Sequence, residues 1–303
     1  MIQKLSQEII HARSLLPDRN DFDIKNLLAF PRFFDWVDCE VDRSTRFQMF
    51  LAGGDDGVAL RFFWNGGFEP TSMRLWSRAA RGARAVVDIG AHTGCYSLAA
   101  AAAGSQAEVW SFEPHSLNFA RLCMNLRANG VNASRAVPMA CGERVAAVPF
   151  SVIHGSDFLT SGGRIGRNPQ LLIREVQMTA LDRFFPSASR SSPIDLIKID
   201  TEGYEPQCLE GMLGILQRDS PTIFFESVDV EASRKSQSLL LGLGYKIFLI
   251  DDESGQVDQV DVVEPMRLPS GQVPRKWHNR AAVHRSRVNQ WTDIIRDLHG
   301  GSS

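Results

Sequence analysis

Two stretches of this 303-residue chain hold the residue types and spacing that chemistry needs. The first is Val86-Val87-Asp88-Ile89-Gly90-Ala91-His92-Thr93-Gly94, an apolar run, an acid and two glycines directly ahead of a helical pattern beginning near Thr93. It reads as a nucleotide-type strand-to-helix turn. Gly90 lets the chain turn tightly at the strand end, and Gly94 lets ligand and helix backbone come close. A dinucleotide site would carry G-x-G-x-x-G, whose middle glycine makes room for a pyrophosphate. Here His92 holds that position, which disfavours pyrophosphate and NAD. S-adenosylmethionine fits instead: its carboxylate suits the helix N-terminus, and Asp88 can accept from its ammonium group or from backbone amides. Past the next strand, Glu113 is placed to accept both ribose hydroxyls, at the spacing expected of the acid in a βαβ unit. The plainer reading is a glycine turn of any α/β protein, with Glu113 a solvated strand-end acid.

The second stretch, Ile194-Asp195-Leu196-Ile197-Lys198-Ile199-Asp200-Thr201-Glu202-Gly203-Tyr204-Glu205, runs from a buried strand into acids at its carboxyl end. In an open α/β sheet that edge binds ligands. Glu202 is the first candidate for a general base, and Asp200 for holding the methionine end of the cofactor. The alternative is two structural acids capping the following helix, with Glu205 favouring that helix's N-terminus.

These motifs need elements to position them. From Ala85 the chain alternates strand and helix: Ala85 to Ile89, Thr93 to Ala103, Glu108 to Phe112, Ser116 to Asn129, Ser134 to Met139. The rhythm resumes with Ile194 to Ile199, a helix near Pro206 to Gln217, Thr222 to Phe225, a helix over Glu231 to Leu243, and Tyr245 to Ile250. Ala281 to His284 supplies a last strand, and an amphipathic stretch Val288 to Leu298 follows. Between the halves, about 145–178 reads as a hairpin-like insertion able to close over a substrate. Residues 1–80 read as an N-terminal cap: a helix over Ile2 to Leu16, then strands Arg46 to Leu51 and Val58 to Trp64 joined by Gly53-Gly54-Asp55-Asp56-Gly57. Residues 81–303 form the main domain.

Composition narrows the function. The formal charge of −2 gives no global field for nucleic acid or an anionic membrane. The longest apolar run, Leu98 to Gly104, is far short of the ~20 residues of a bilayer span. The start of the chain lacks the apolar core and cleavage site of a signal peptide. Five scattered cysteines without a CxxC pair read as reduced thiols, so a cytoplasmic enzyme is expected. An apolar face on the first helix leaves a homodimer open.

The ordered set Val87-Asp88-Ile89-Gly90-Ala91-His92-Thr93-Gly94, Phe112-Glu113-Pro114, Leu181-Asp182 and Ile197-Lys198-Ile199-Asp200-Thr201-Glu202-Gly203 resembles the FkbM family of methyltransferases. Gly67-Phe68-Glu69-Pro70 and Ile223-Phe224-Phe225-Glu226 echo it, so the resemblance covers roughly 65–250. It implies a class I, Rossmann-like methyltransferase fold with a seven-stranded, mostly parallel sheet whose last strand is antiparallel. It further implies S-adenosylmethionine as cofactor and O-methylation of a sugar or natural product. The chain departs from the family pattern at Trp277-His278-Asn279-Arg280 and His284-Arg285-Ser286-Arg287.

A methyltransferase must align an acceptor with the methyl carbon and take a proton from an alcohol. Besides Glu202, His154 in the insertion is a candidate base, its plainer reading an exposed loop histidine. Glu69 and Glu226 are candidate acceptor-pocket residues, or respectively a helix cap and a strand-end acid. Gly90, Ala91, His92, Gly94, Tyr96 and Pro114 complete the expected cofactor contacts, with adenine beside Met139-Ala140-Cys141. Asp200 and Glu226 are conceivable ligands of a divalent metal, but no compact ligand motif supports one. The basic set Arg275, Lys276, His278, Arg280, Arg285 and Arg287 reads as a solvated face or a contact for an anionic substrate. N-methylation of a peptide or amide, an NAD-dependent oxidoreductase and a non-catalytic binding protein remain the alternatives.

Overall fold

The computed structural model describes residues 3–27, 29–104, 106–152, 159, 162–186, 192–269, 273–274 and 277–300. His154, and with it the proposed second base, lies outside the described residues.

The centre is an eight-stranded sheet. Labelling its strands alone, these are β1 (Ala85–Ile89), β2 (Glu108–Phe112), β3 (Ala136–Val137), β4 (Leu196–Ile199), β5 (Thr222–Glu226), β6 (Tyr245–Ile250), β7 (Val257–Val260) and β8 (Asn279–His284). Their spatial order is β7-β6-β8-β5-β4-β1-β2-β3. β1 pairs parallel with both β2 and β4, as do β4 with β5 and β2 with β3, whereas β8 runs antiparallel between β5 and β6. The seven-strand expectation is corrected by one edge strand, β7, antiparallel to β6. Its Val-Asp-Gln-Val sequence is too short and polar to announce itself, and pairing on one side suffices for an edge.

All residues of β1 and β4 are buried, which is why both read as unbroken apolar runs with Asp88 and Lys198 the exceptions. Strand order reverses between β1 and β4, so the helices that follow them, Cys95–Ala103 and Glu205–Glu210, leave a crevice at their carboxyl ends.

The N-terminal part is corrected in two places: where a helix over Ile2 to Leu16 was expected, Gln3–Lys4 is a short strand paired parallel with Phe33 and Phe34, and the helix covers only Gln7–Ser14. Phe33–Asp42 and Thr45–Gly53 form the antiparallel hairpin, but Val58 to Trp64 lies in a helix, Gly57–Asn65. Asp56 is its N-cap, accepting from the Val58 and Ala59 amides at 2.9 and 3.1 Å, and Gly66 ends it with φ of 72°. A second helix, Pro70–Ala80, packs against Cys95–Ala103 through Trp76. That indole is fully buried, meets the Tyr96 and Phe224 rings edge-on at 5.4 Å, and donates Nε1–H to the Tyr96 carbonyl. Its burial contributes about 2–3 kcal/mol. One apolar cluster runs from Phe33 and Met49 through Trp76 and Val86 to Phe248 and Trp291.

The start of Pro70–Ala80 decides where Glu69 points. Glu69 occupies the N-cap position but makes no capping bond, and its φ of 42° is left-handed. Asp252, just past β6, caps the helix from 180 residues away: Oδ1 accepts the Thr71 and Ser72 amides at 2.8 Å each, and Oδ2 accepts the Ser72 hydroxyl at 2.7 Å. The expected helix-capping alternative for Glu69 is thereby taken over, leaving its side chain for the crevice. Replacing Asp252 by Ala should cost about 1–2 kcal/mol of stability, read as a lower urea midpoint. An unchanged midpoint would show that the distant cap contributes nothing.

In the insertion, Ala146–Val152 pairs antiparallel with Leu172–Thr179, with Arg164–Ile165 at the outer edge. Gly94 has a different role from the one expected. A Cβ there would stand 2.7 Å from Leu122 Cδ1, so it permits helix-to-helix packing instead of a ligand's approach. The basic C-terminal set is not one surface. Arg280 is fully buried and donates to the Trp277 and Val263 carbonyls, while Arg287 pairs with Asp195 at 3.0 Å. Arg275 and Lys276 lie outside the described residues.

Candidate active site

At the β1–β4 crevice lies a cavity of about 440 Å³, within the range of small-molecule sites. It brings together twelve of the expected residues: Asp88, Gly90, Ala91, His92, Tyr96, Glu113, Pro114, Ala140, Asp200, Glu202, Glu69 and Glu226. Gly94 is not in its wall. Val58 and Phe68 from the N-terminal part, and Phe150, Leu159 and Ile165 from the insertion, give it an apolar side.

The turn after β1 is held by its neighbours. The Gly90 and Ala91 amides both donate to the Phe112 carbonyl at 2.9 Å, and the Asp200 amide donates to the Ile89 carbonyl. A Cβ on Gly90 would lie 1.8 Å from the Asp200 carbonyl oxygen, and its φ is 77°, so only glycine fits. His92 continues the turn with φ of 51°. Its Nδ1 meets Thr93 Oγ1 at 3.2 Å, while Nε2 is buried with no partner among the described residues.

Glu113 is 4% exposed. Oε2 accepts the His92 amide at 2.9 Å and Oε1 the His115 amide at 2.8 Å. The Asn118 side chain hydrogen-bonds the group as well, and since a carboxylate has about four lone-pair sites, roughly one remains for a ligand. Burial pushes its pKa up to about 8, against the pull of those amides. Asp88 accepts the Ser97 hydroxyl at 2.6 Å on Oδ2, and burial raises its pKa to about 6.

The acids beyond β4 and β5 crowd one another. Glu202, with φ of 57°, has a pKa raised to about 8 by burial and by the charges of Asp200 and Glu205. Glu226 is pushed well above the carboxylate range by burial, Asp200 and Glu202, and its Oε2 is buried with no hydrogen-bond partner among the described residues. Glu205 folds the loop instead of joining the site: its Oε1 accepts the Thr201 and Gly203 amides at 3.0 and 3.1 Å. Glu69 Oε2 accepts the Tyr96 hydroxyl at 2.5 Å, and burial lifts its pKa to about 7 although Lys198 opposes the rise.

Sequence reasoning missed Lys198. It is 1% exposed, reaches Asp200 Oδ2 at 3.1 Å, and sits 5.0 Å from the Tyr96 ring centre. Burial works against its charge, but Asp200, Glu69 and Glu226 outweigh burial and hold its pKa above the ordinary lysine value. A lysine inside a fully buried strand was the available signal, since such a charge must have partners. Among the described residues no group of three or more His, Cys, Asp or Glu is arranged to hold a metal ion.

Among solved structures the chain is similar to methyltransferase FkbM from Methylobacillus flagellatus KT, at 18% identity and a TM-score of 0.41 over 66% of this chain. It spans 43% of that protein's length. It is also similar to an O-methyltransferase from Bacillus cereus in complex with SAH, at 15% identity, TM-score 0.42, and 71% and 81% coverage of the two chains. A third is the O-methyltransferase TomG from Streptomyces achromogenes, involved in tomaymycin synthesis, at 12% identity, TM-score 0.41, and 73% and 82% coverage. No curated protein sequence gives a significant match. The family described as the Methyltransferase FkbM domain matches residues 88–247, just over half of the chain and including both motifs at the crevice. The chain belongs to the FkbM methyltransferase family.

Proposed function

We propose that the protein is an S-adenosylmethionine-dependent O-methyltransferase acting on a hydroxyl of a sugar or natural product. One observation carries the reading: the glycine-cleared turn with Glu113 and the crowded acids Glu202 and Glu226 line the same cavity. When bound, the cofactor supplies a sulfonium-activated methyl group.

The residues present fit that cofactor. Glu113, held by the His92 and His115 amides and by Asn118, keeps acceptor capacity for a ribose hydroxyl, and Asp88 would accept from the ammonium group. Asp200, held by Lys198, borders the methionine end, and Met139, Ala140 and Cys141 enclose adenine. His92, where a pyrophosphate site needs glycine, weighs against NAD.

Glu202, as the carboxylate, would take the proton of the acceptor hydroxyl, leaving that oxygen free to receive the methyl group that the bound cofactor would release from its sulfur. Lys198 cannot share that task because its partners keep it protonated. Glu226 and Glu69 accept hydrogen bonds from neighbouring hydroxyls of the acceptor, and Phe150, Leu159 and Ile165 cover its apolar face and exclude water. The test is transfer of labelled methyl from S-adenosylmethionine to a panel of sugars, polyketides and peptides, with the methylated atom located by NMR. Methyl ethers support the reading. Methylation only on nitrogen would replace it with the peptide or amide alternative, and no transfer alongside intact cofactor binding would favour a non-catalytic protein.

A further inference from the structure

Outside the cavity, the outer face of helix Pro70–Ala80 carries a second concavity, an open groove of about 680 Å³. Five arginines line it, Arg19, Arg43, Arg74, Arg78 and Arg81, against three acids, Asp18, Glu40 and Asp42. Glu40 is already paired with Arg46 at 3.0 Å, and Asp42 is shared between Arg81 at 3.2 Å and Arg78 at 4.0 Å. Arg74 donates Nε–H to the Pro70 carbonyl, and its two terminal nitrogens have no partner among the described residues. Arg19 and Arg43 likewise have none. Burial and the neighbouring guanidinium groups of Arg19 and Arg78 push the Arg74 pKa down, the direction that crowding of like charges produces.

The groove and the candidate active site border a common hollow. Arg19 also lines a neighbouring hollow of about 300 Å³, and Arg61, Phe68 and Glu69 line both that hollow and the central cavity. Glu69 stands at the start of the helix whose fifth and ninth following residues are Arg74 and Arg78, so the two sites lie roughly 8–14 Å apart along its axis.

The geometry points to an anion subsite at Arg19, Arg74 and Arg78 that holds a phosphoryl group carried by the methyl acceptor, while the acceptor's hydroxyl reaches Glu202. This rests on the methyltransferase reading for the identity of the molecule, but not for the anion binding itself. Guanidinium groups bind phosphate oxygens through paired N–H donors, and unpaired ones crowded together gain most from an anion. The acceptor is then a phosphorylated sugar or a natural product held on a phosphate-bearing carrier.

Calorimetry with pyrophosphate as probe tests it on the full chain, at about 20 mM and about 300 mM salt, because exposed charges are screened at the higher strength. The expected result is saturable binding at low salt that weakens at high salt and falls at least tenfold in the Arg74→Ser/Arg78→Ser double variant. Arg43→Ser, an exposed single change, should give a smaller loss and guards against misfolding of the double variant. S-adenosylhomocysteine is titrated into the same samples as the control. No pyrophosphate binding by the wild type, or equal binding by the double variant, overturns the subsite. Failure of S-adenosylhomocysteine to bind the wild type overturns the cofactor reading and leaves the anion site to stand on its own titration.

Discussion

Glu202→Gln is expected to lower kcat by about 100-fold to 10,000-fold, the usual share of general-base catalysis, with S-adenosylhomocysteine affinity changed less than threefold. Glutamine keeps the size of the side chain and one acceptor oxygen, so it removes the proton acceptor and little else. The same residue sets a pH signature. With its pKa raised to about 8, Glu202 is mostly protonated at neutral pH, and kcat/KM should climb as pH rises through that value. The stability linkage has the opposite sense. A carboxyl whose folded pKa is raised holds its proton in the native state, so its contribution is full below its ordinary pKa and is lost as pH rises through about 8. The variant should therefore lose activity and also flatten the decline of melting temperature between about pH 5 and 9. Cofactor affinity lost in step with kcat would move Glu202 from the base position into the cofactor site.

The second large effect is expected at Glu113. Replacement by Ala removes the acceptor for the His92 and His115 amides and for the ribose hydroxyls together. A hydrogen bond is worth about 0.5–1.5 kcal/mol, and leaving a buried donor without its partner costs about 1–3 kcal/mol. Since these bonds share one side chain and do not add, the dissociation constant for S-adenosylhomocysteine should rise about 100-fold, or roughly 2.8 kcal/mol. At saturating cofactor, kcat should fall far less. Glu113→Gln, which keeps one carbonyl acceptor, should lie between. An unchanged dissociation constant in Glu113→Ala would place the ribose elsewhere and leave Glu113 as a brace for the turn.

Much of the sheet was legible because β1, β2, β4 and β5 are short apolar runs ending in acids or glycine, a pattern that buried parallel strands dictate. The N-terminal part was harder. Val58 to Trp64 is apolar at nearly every position, so periodicity could not separate strand from helix. Asp56 ahead of it and Gly66 behind it are helix caps, but within Gly-Gly-Asp-Asp-Gly the aspartate reads as part of a hairpin turn. Most of the candidate site residues that line the cavity could be named from local motifs, since Asp88, Glu113, Asp200 and Glu226 sit at strand ends, where a parallel sheet gathers its ligands. Gly94 was assigned to the ligand because a glycine in such a turn gives no sign of which neighbour needs the space; Leu122 does. Glu69 could not be decided locally, because the residue that releases it from capping is Asp252 on the far side of the sheet. Lys198 was visible in the sequence, but its charge was not weighed against the burial of its strand. Its partners Asp200, Glu69 and Glu226 come from three separate elements.

The central claim, a nucleoside site built for a sulfonium cofactor and not for a dinucleotide, is tested most directly by calorimetric titration of the purified protein with S-adenosylhomocysteine and, separately, with NAD. The account predicts saturable binding of S-adenosylhomocysteine at one site per chain, lost on Glu113→Ala, and no detectable heat with NAD. Tight binding of NAD with none of S-adenosylhomocysteine would contradict it.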